Sequence, residues 1–342
     1  MKPNYGHSSM AMSETPNSAK AEHILIAIPV LNEARHIETC IRSLMQGDAR
    51  LPTIAIVVAD GGSTDATRDI VAELKSEFSN LSLIDNPAKL QAAGINTVAR
   101  QADSRVIRHL IRCDAHAIYP PGYVTAVADA LVRTKTASLV VPMDAVGTSC
   151  FQKANAWVVD TVLGSGGSAH RGGTKSGYVD HGHHAGFDLG TFLKLDGYDE
   201  IFSHNEDAEY DQRVINSGGQ IYLDATIRLK YMPRADVGSL ARQYFNYGRG
   251  RARNILKHGA KPKLRQLVPV LNFLGLITAF IGAVWLPLLL AYPALYVSAL
   301  ILASLGISLK QRSLCGLLAG LASGIMHNAW AAGFLRQIVL RK

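Results

Sequence analysis

Residues 267–309 run for 43 positions without one charged side chain, and after Lys310 and Arg312 a second uncharged stretch covers 313–335. A helix needs roughly 20 apolar residues to cross the hydrocarbon core, whereas apolar runs of about 10–14 belong to buried helices of soluble domains. The first stretch has length for two spans with a turn over 287–293 (PLLLAYP), and the second has length for one more. A membrane region of two to three helices over 267–335 is therefore expected. His327 and Asn328 fall inside the last of these, where helix–helix hydrogen bonding is the simplest use for them.

The chain outside that region is different in kind. All 27 Asp and Glu lie at or before Asp236, where they outnumber 22 Lys and Arg, while residues 237–342 hold 13 Lys and Arg and no acid. The net charge of +8 is thus the sum of a mildly acidic body and a basic, apolar tail, which argues against nucleic acid as a partner. Eight of the basic residues fall between Arg242 and Arg265. By the positive-inside rule this side faces the cytoplasm, and the body with it. A third span would carry Arg336, Arg341 and Lys342 to the outside, against the rule, unless that helix lies in the interface. The segment thus reads as a polar, disordered tail (1–21), a catalytic body (22–240), a basic juxtamembrane segment attracting anionic lipid (241–266), the membrane region, and a basic tail (336–342). The N-terminal tail lacks the apolar core of a signal peptide. Cys40, Cys113, Cys150 and Cys315 form no CxxC pair, so free buried thiols are expected rather than disulfides or zinc.

Within the body, short β-branched runs alternate with helical patterns. ILIAIPV (24–30), IAIVVA (54–59), LSLID (81–85) and residues 106–112 read as strands; residues 37–45, 66–78 and 92–100 read as helices. Strands alternating with helices imply a mostly parallel sheet covered on both faces. Ligands of such sheets sit beyond the carboxyl ends of the strands. Glu33, Asp60 and Asp114 each follow a different strand there. Taken singly, Asp60-Gly61-Gly62-Ser63 is equally a turn and cap for the next helix. Three acids on one edge repel unless cations or hydrogen bonds join them.

The order IPVLNE, VVADGGSTDAT, DAH near residue 114 and HNEDAEYD resembles the inverting family 2 glycosyltransferases of GT-A fold, a Rossmann-like α/β architecture. The resemblance spans about residues 22–265. FNYGRGRARN and the membrane tail are similar to the ExoA-type succinoglycan and exopolysaccharide glucosyltransferases. The resemblance implies that a nucleotide-diphosphate sugar lies across the first half of the sheet, near Pro29, Glu33 and Asp60, with Asn86, Lys89 and Asn96 in a following segment. Asp114-Ala115-His116 takes the place of the DxD motif, so Asp114 and His116 are the expected ligands of Mn²⁺ or Mg²⁺, which neutralises the leaving diphosphate. Asp207 corresponds to the general base and Glu206 to its neighbour; residues 206–216 read as a helix, whose N-terminus also suits acids. His181, His183 and His184 lie in the acceptor-side segment 178–200, where many relatives carry a basic residue at the position of Asp188. The cluster 243–251 stands where processive relatives carry QxxRW; here the Trp is absent, and Arg249 or Arg251 is expected on the diphosphate.

The expected activity is transfer, with inversion to a β linkage, of glucose from UDP-glucose to a lipid-linked saccharide at the cytoplasmic membrane. A polyprenyl-phosphate sugar synthase is the alternative enzyme. A non-catalytic membrane scaffold of the same fold would have dispensed with Asp114 and Asp207.

Overall fold

The computed structural model describes residues 18–167 and 173–340. Most of the expected N-terminal tail, together with Arg341 and Lys342, lies outside the described residues. Residues 18–21 do not behave as tail: the buried Ala19 donates its N–H to Asp129 (2.7 Å), and Arg50 holds Ser18, Ala19 and Asp129 together.

Strands β1 (Ile24–Val30), β2 (Ala55–Asp60), β3 (Leu81–Asp85) and β4 (His109–Arg112) alternate with helices α1 (Ile37–Leu44), α2 (Thr67–Glu77) and α3 (Gln91–Gln101). They form the parallel half of an eight-stranded sheet in the order β3-β2-β1-β4. The strands are continuous apolar runs because both faces are covered: Ile24, Ile26 and Ile28 face one helical layer, Leu25 and Ala27 the other. After α4 (Tyr123–Thr134) come β5 (Ser138–Val141), β6 (Met143–Ala145), helices α5 (Cys150–Val159) and α6 (Val162–Ser165), and β7 (Gly177–Val179). Strand β8 (His183–Asp188) then inserts antiparallel between β4 and β5. Helices α7 (Leu189–Lys194) and α8 (Glu206–Asn216) lead to β9 (Ile221–Leu223), which joins the sheet, and to β10 (Leu229–Tyr231), which pairs with β6. The architecture is the mostly parallel, GT-A-like α/β sheet expected.

The antiparallel insertion decides where the acceptor-side residues go. Because β8 runs against β4, His183 and His184 begin at the edge where β4 ends, while Asp188 pairs with His109 at the opposite edge. There Asp188 caps α7, accepting the Thr191 N–H (2.8 Å) and hydroxyl (2.6 Å). Its departure from the family pattern therefore has no bearing on the cleft.

The basic segment is mostly a helix, α9 (Val237–His258), followed by α10 (Leu264–Gly282), α11 (Ala291–Gln311) and α12 (Ala319–Leu340). The three stretches 264–282, 287–311 and 314–340 are long and apolar enough to cross a membrane. They differ in surroundings. The first two bury only 11% of their apolar windows, whereas the third buries 39% because α12 lies along α9. Glycines permit that approach: a Cβ at Gly248 would fall on the Trp330 carbonyl, and one at Gly333 on the Phe245 carbonyl. His327 bonds Tyr296 of α11 (3.0 Å) and the Leu163 carbonyl (2.7 Å), a structural use of a polar group within an apolar helix.

One expectation is corrected here. Cys150 and Cys315 form a disulfide between the first residue of α5 and the turn before α12; spacing could not reveal it, since 165 residues separate them. Cys40 and Cys113 are buried and free as expected. Three residues of the basic segment are engaged by the body. Lys257 pairs with Asp199 (2.7 Å) and Glu209 (2.5 Å), Arg253 donates to the Ile201 carbonyl, and Lys263 pairs with Asp180. Glu209 is fully buried and also accepts from Arg213 and His258, so these charges compensate acids of the body.

Candidate active site

The carboxyl ends of β1 and β2 are tied into one wall. Asn32, at φ 57°, donates its N–H to Ser63 Oγ (2.8 Å) and accepts from the Thr64 N–H (2.8 Å); Glu33 N–H bonds Thr67 Oγ1 (2.8 Å). Asp60 is 1% exposed and accepts the N–H groups of Gly62 and Ser63 and the Arg68 guanidinium (2.7 Å). Burial pushes its carboxyl upward, but Ser63, Arg68 and those N–H groups outweigh burial and hold it below the usual carboxylate range. Gly62 needs its φ of +82° to make this turn. The turn and the donor-site readings of Asp60-Gly61-Gly62-Ser63 thus coincide in one structure. Lys89 is exposed beside Gly61 and Gly62, and the buried Asn86 keeps a carbonyl oxygen without a partner.

Asp114 follows β4 at the centre of the edge. Its Oδ1 accepts from Gln91 (2.7 Å) and from Arg112 (3.4 Å), and its Oδ2 lies 3.9 Å from His183 Nε2. Burial raises its pKa; Arg112, His183 and His116 overcome this and lower it. His116 leans on Glu33 through Nδ1 (3.4 Å), and that carboxylate raises its pKa. The repulsion expected among the three acids is therefore met residue by residue, by Arg68, Arg112 and His116. Among the described residues no three His, Cys, Asp or Glu side chains converge on one point as a metal cage. Asp114 and His116 fit the sparser site of a divalent ion that takes its remaining positions from diphosphate oxygens and water.

Across the cleft, Asn205 turns the chain at φ 64° and α8 starts with Glu206 and Asp207. Burial and the Asp207 charge push Glu206 up to about 7. Burial also acts upward on Asp207, but His181, His184 and Arg112 hold it well below the usual carboxylate range. The two carboxyls of the pair are thus pushed apart, Glu206 upward and Asp207 downward. Arg112 sits between the two acid groups, 7% exposed, with NH1 on the Tyr198 hydroxyl (3.2 Å). Arg112 was not among the residues expected at the site, although an arginine within a buried strand demands a compensating partner. That was the available signal.

Two expected donor contacts are placed elsewhere. Asn96 is buried and its amide is spent on Tyr198 N–H and C=O (both 2.8 Å) and Glu200 (2.9 Å), so it ties α3 to the segment before α8. On α9, Arg249 and Arg251 are two residues apart and point to opposite sides. Arg249 interacts with Arg253 and Arg336, and its Nε is buried without a partner. Arg251 is the one that faces Asp207, Asp211 and Asp180; burial lowers its pKa against their pull. Pro29 backs Gly94 of α3, a methyl's width from it.

Comparison with known proteins agrees with this geometry. The model of glycosyl transferase family 2 matches residues 25–191. The succinoglycan biosynthesis protein ExoA of Rhizobium meliloti is 40% identical over 92% of this chain and 94% of its own length. A dolichyl N-acetyl-alpha-D-glucosaminyl phosphate 3-beta-D-2,3-diacetamido-2,3-dideoxy-beta-D-glucuronosyltransferase of Methanococcus voltae is 24% identical over 68% of this chain and 74% of its own. In fold, the chain resembles the mannosyltransferase PcManGT of Pyrobaculum calidifontis, solved with GDP-Man and Mn²⁺, at TM-score 0.60 and 15% identity over 94% of this chain and 88% of that one. The family model seats on the half of the sheet that carries Glu33, Asp60 and Asp114, and a relative at 40% identity matches nearly end to end: the chain belongs to glycosyl transferase family 2.

Proposed function

We propose that the chain transfers glucose from UDP-glucose, with inversion to a β linkage, to a lipid-linked saccharide during exopolysaccharide synthesis on the cytoplasmic face of a membrane. One observation carries this reading: Glu206 and Asp207 at the start of α8 lie within charge range of Arg112, the same buried guanidinium that reaches Asp114 at 3.4 Å. The nucleotide would lie along Pro29, Glu33, Asp60 and Lys89, with Asp60 offered to the base. Asp114 and His116 would hold Mn²⁺ or Mg²⁺, which as a Lewis acid supplies charge neutralisation for the departing diphosphate. Asp207 takes the proton of the acceptor hydroxyl as its oxygen bonds C1 and the bond from C1 to the diphosphate oxygen breaks. Arg251 faces Asp207 from α9 and is available to the diphosphate.

The saccharide acceptor, rather than a bare lipid phosphate, is favoured by the base: a lipid phosphate attacks without needing one. It is also favoured by the Methanococcus voltae relative, whose name specifies a dolichyl-linked sugar as acceptor. The exopolysaccharide role rests on similarity to ExoA. The three apolar helices would confine the enzyme with such an acceptor in two dimensions, raising its effective concentration. We place α10 and α11 as a spanning hairpin with basic residues on the cytoplasmic side. The test is to incubate the full chain in membranes with radiolabelled UDP-glucose, UDP-galactose, UDP-GlcNAc and GDP-mannose, with Mn²⁺ or Mg²⁺ and polyprenyl-diphosphate-linked hexoses, and to extract the lipid fraction. Label from UDP-glucose in the lipid, with a β-anomeric coupling in the product, is expected; an α product or transfer only to bare polyprenyl phosphate would overturn the reading.

A further inference from the structure

Behind Asp207 lies a buried cluster that the reaction as written does not use. Helix α8 places Asp207 and Asp211 four residues apart, on one face. Asp211 is 1% exposed, and each of its oxygens meets one imidazole: Oδ2 is 2.8 Å from His181 Nδ1 and Oδ1 is 2.7 Å from His184 Nε2. Burial pushes Asp211 upward, but the two histidines hold it below the usual carboxylate range, so it is ionised and can only accept. Both histidines must therefore donate to it. His184 is fully buried: its Nε2 donates to Asp211, and its Nδ1 meets the Tyr198 hydroxyl at 2.7 Å. The Tyr198 oxygen in turn accepts from Arg112 (3.2 Å), whose other nitrogen reaches Asp114 (3.4 Å). A continuous chain of hydrogen bonds thus runs from Arg112 through Tyr198 and His184 to Asp211, with Arg112 donating at one end and Asp211 accepting at the other. Phe187, Phe192 and Tyr210 pack around His184 and Tyr198 and close the chain off from water.

We propose that Asp211, with His181 and His184, is a positioning unit for the transfer step: it fixes the first turn of α8, and so Asp207, relative to the sheet and, through Tyr198 and Arg112, to the donor-side acid Asp114. The proposal rests on Asp207 as the base. The arrangement parallels outer-shell carboxylate–histidine pairs, whose loss costs roughly 10- to 100-fold in activity. Asp207 is also faced by Glu206 on its own helix, by Arg112 from β4 and by Arg251 from α9, so direct charge alone does not distinguish Asp211 from its surroundings. Hydrogen-bond direction does.

The experiment exploits that direction. In a glutamine the amide nitrogen stands near the place of imidazole Nε2, and in an asparagine near that of Nδ1. His184→Gln and His181→Asn thus keep a donor on Asp211, whereas His184→Leu and His181→Ala do not. The full chain is assayed in detergent with UDP-[14C]glucose, Mn²⁺ and a polyprenyl-diphosphate-linked hexose, and UDP binding is followed by calorimetry. We expect kcat to fall about 10- to 100-fold in the non-donor variants with KM for UDP-glucose and UDP affinity unchanged, and to recover most of that loss in the donor variants. Equal kcat in donor and non-donor variants, or losses confined to UDP binding, would overturn the proposal. His181 lies partly at the surface, so its pair remains informative if His184→Leu does not fold. Asp207→Asn is run alongside: turnover there removes Asp207 as base, while the donor comparison at 181 and 184 is judged independently.

Discussion

Replacing Arg112 with methionine tests whether the centre of the cleft is held by charge. Methionine approximates the arginine's length but removes the cation and its donors. Arg112 is 7% exposed, pairs with Asp114 at 3.4 Å, hydrogen-bonds Tyr198 at 3.2 Å, and lies within charge range of Glu206 and Asp207. Stripping one partner from a buried pair costs about 3–5 kcal/mol, because the other charge stays behind without compensation. At about 2–4 °C per kcal/mol for a unit of 150–250 residues, the thermal midpoint should drop by roughly 6–20 °C. The sign of the pH dependence follows from Asp114. Arg112 leads the charges that lower its pKa, so in the variant that pKa rises relative to the parent. A carboxyl raised in this way destabilises the fold increasingly as pH rises through the gap. The deficit should therefore be smaller at pH 5 than at pH 7.5. The assay is tryptophan fluorescence of the purified full chain during heating at both pH values, with Arg112→Lys as an intermediate that keeps the charge. A midpoint within about 2 °C of the parent at pH 7.5, in place of the far larger drop expected, would refute the electrostatic account.

Three further outcomes follow from other parts of the molecule. Gly333→Val should separate α12 from α9 at the Phe245 carbonyl; limited proteolysis should then cut within α9, and uncut protein would count against the close crossing. Cys150→Ser should lower the unfolding midpoint under oxidising conditions and match the parent in dithiothreitol, since the disulfide closes a 165-residue loop; a loss equal in both conditions would assign the effect to packing. Glu206 carries a pKa near 7 against an ordinary 4.5, and a carboxyl raised on folding weakens the fold as pH climbs between those values. Glu206→Gln should therefore be more stable than the parent at pH 8 and no more stable at pH 4, a crossover read by thermal melts.

What sequence could foretell divides along physical lines. Strand β1 and helix α8 fall on the residues expected, because a β-branched run and an acid-led helical pattern are local signals. The three acids on the sheet edge were legible because parallel strands put their ends together. Asn96 is committed elsewhere because its side chain turns to Tyr198, a contact across 102 residues that no local pattern shows. Arg251 was one of two candidates that only the helix phase could separate. The disulfide and the α9–α12 contact are encounters between distant segments that no spacing encodes. His181, His183 and His184 were legible only as members of an acceptor-side segment; that His183 and His184 begin at the edge where β4 ends depends on the antiparallel insertion of β8.

The most direct test of the account is Asp207→Asn in the full chain, measured as glucose transfer from UDP-glucose to a polyprenyl-diphosphate-linked hexose beside calorimetric UDP binding with Mn²⁺. Removing a positioned general base typically costs about 10²–10⁴-fold in rate. The account predicts a kcat loss of that order with UDP affinity preserved. Transfer at the parent rate by the asparagine variant would contradict it.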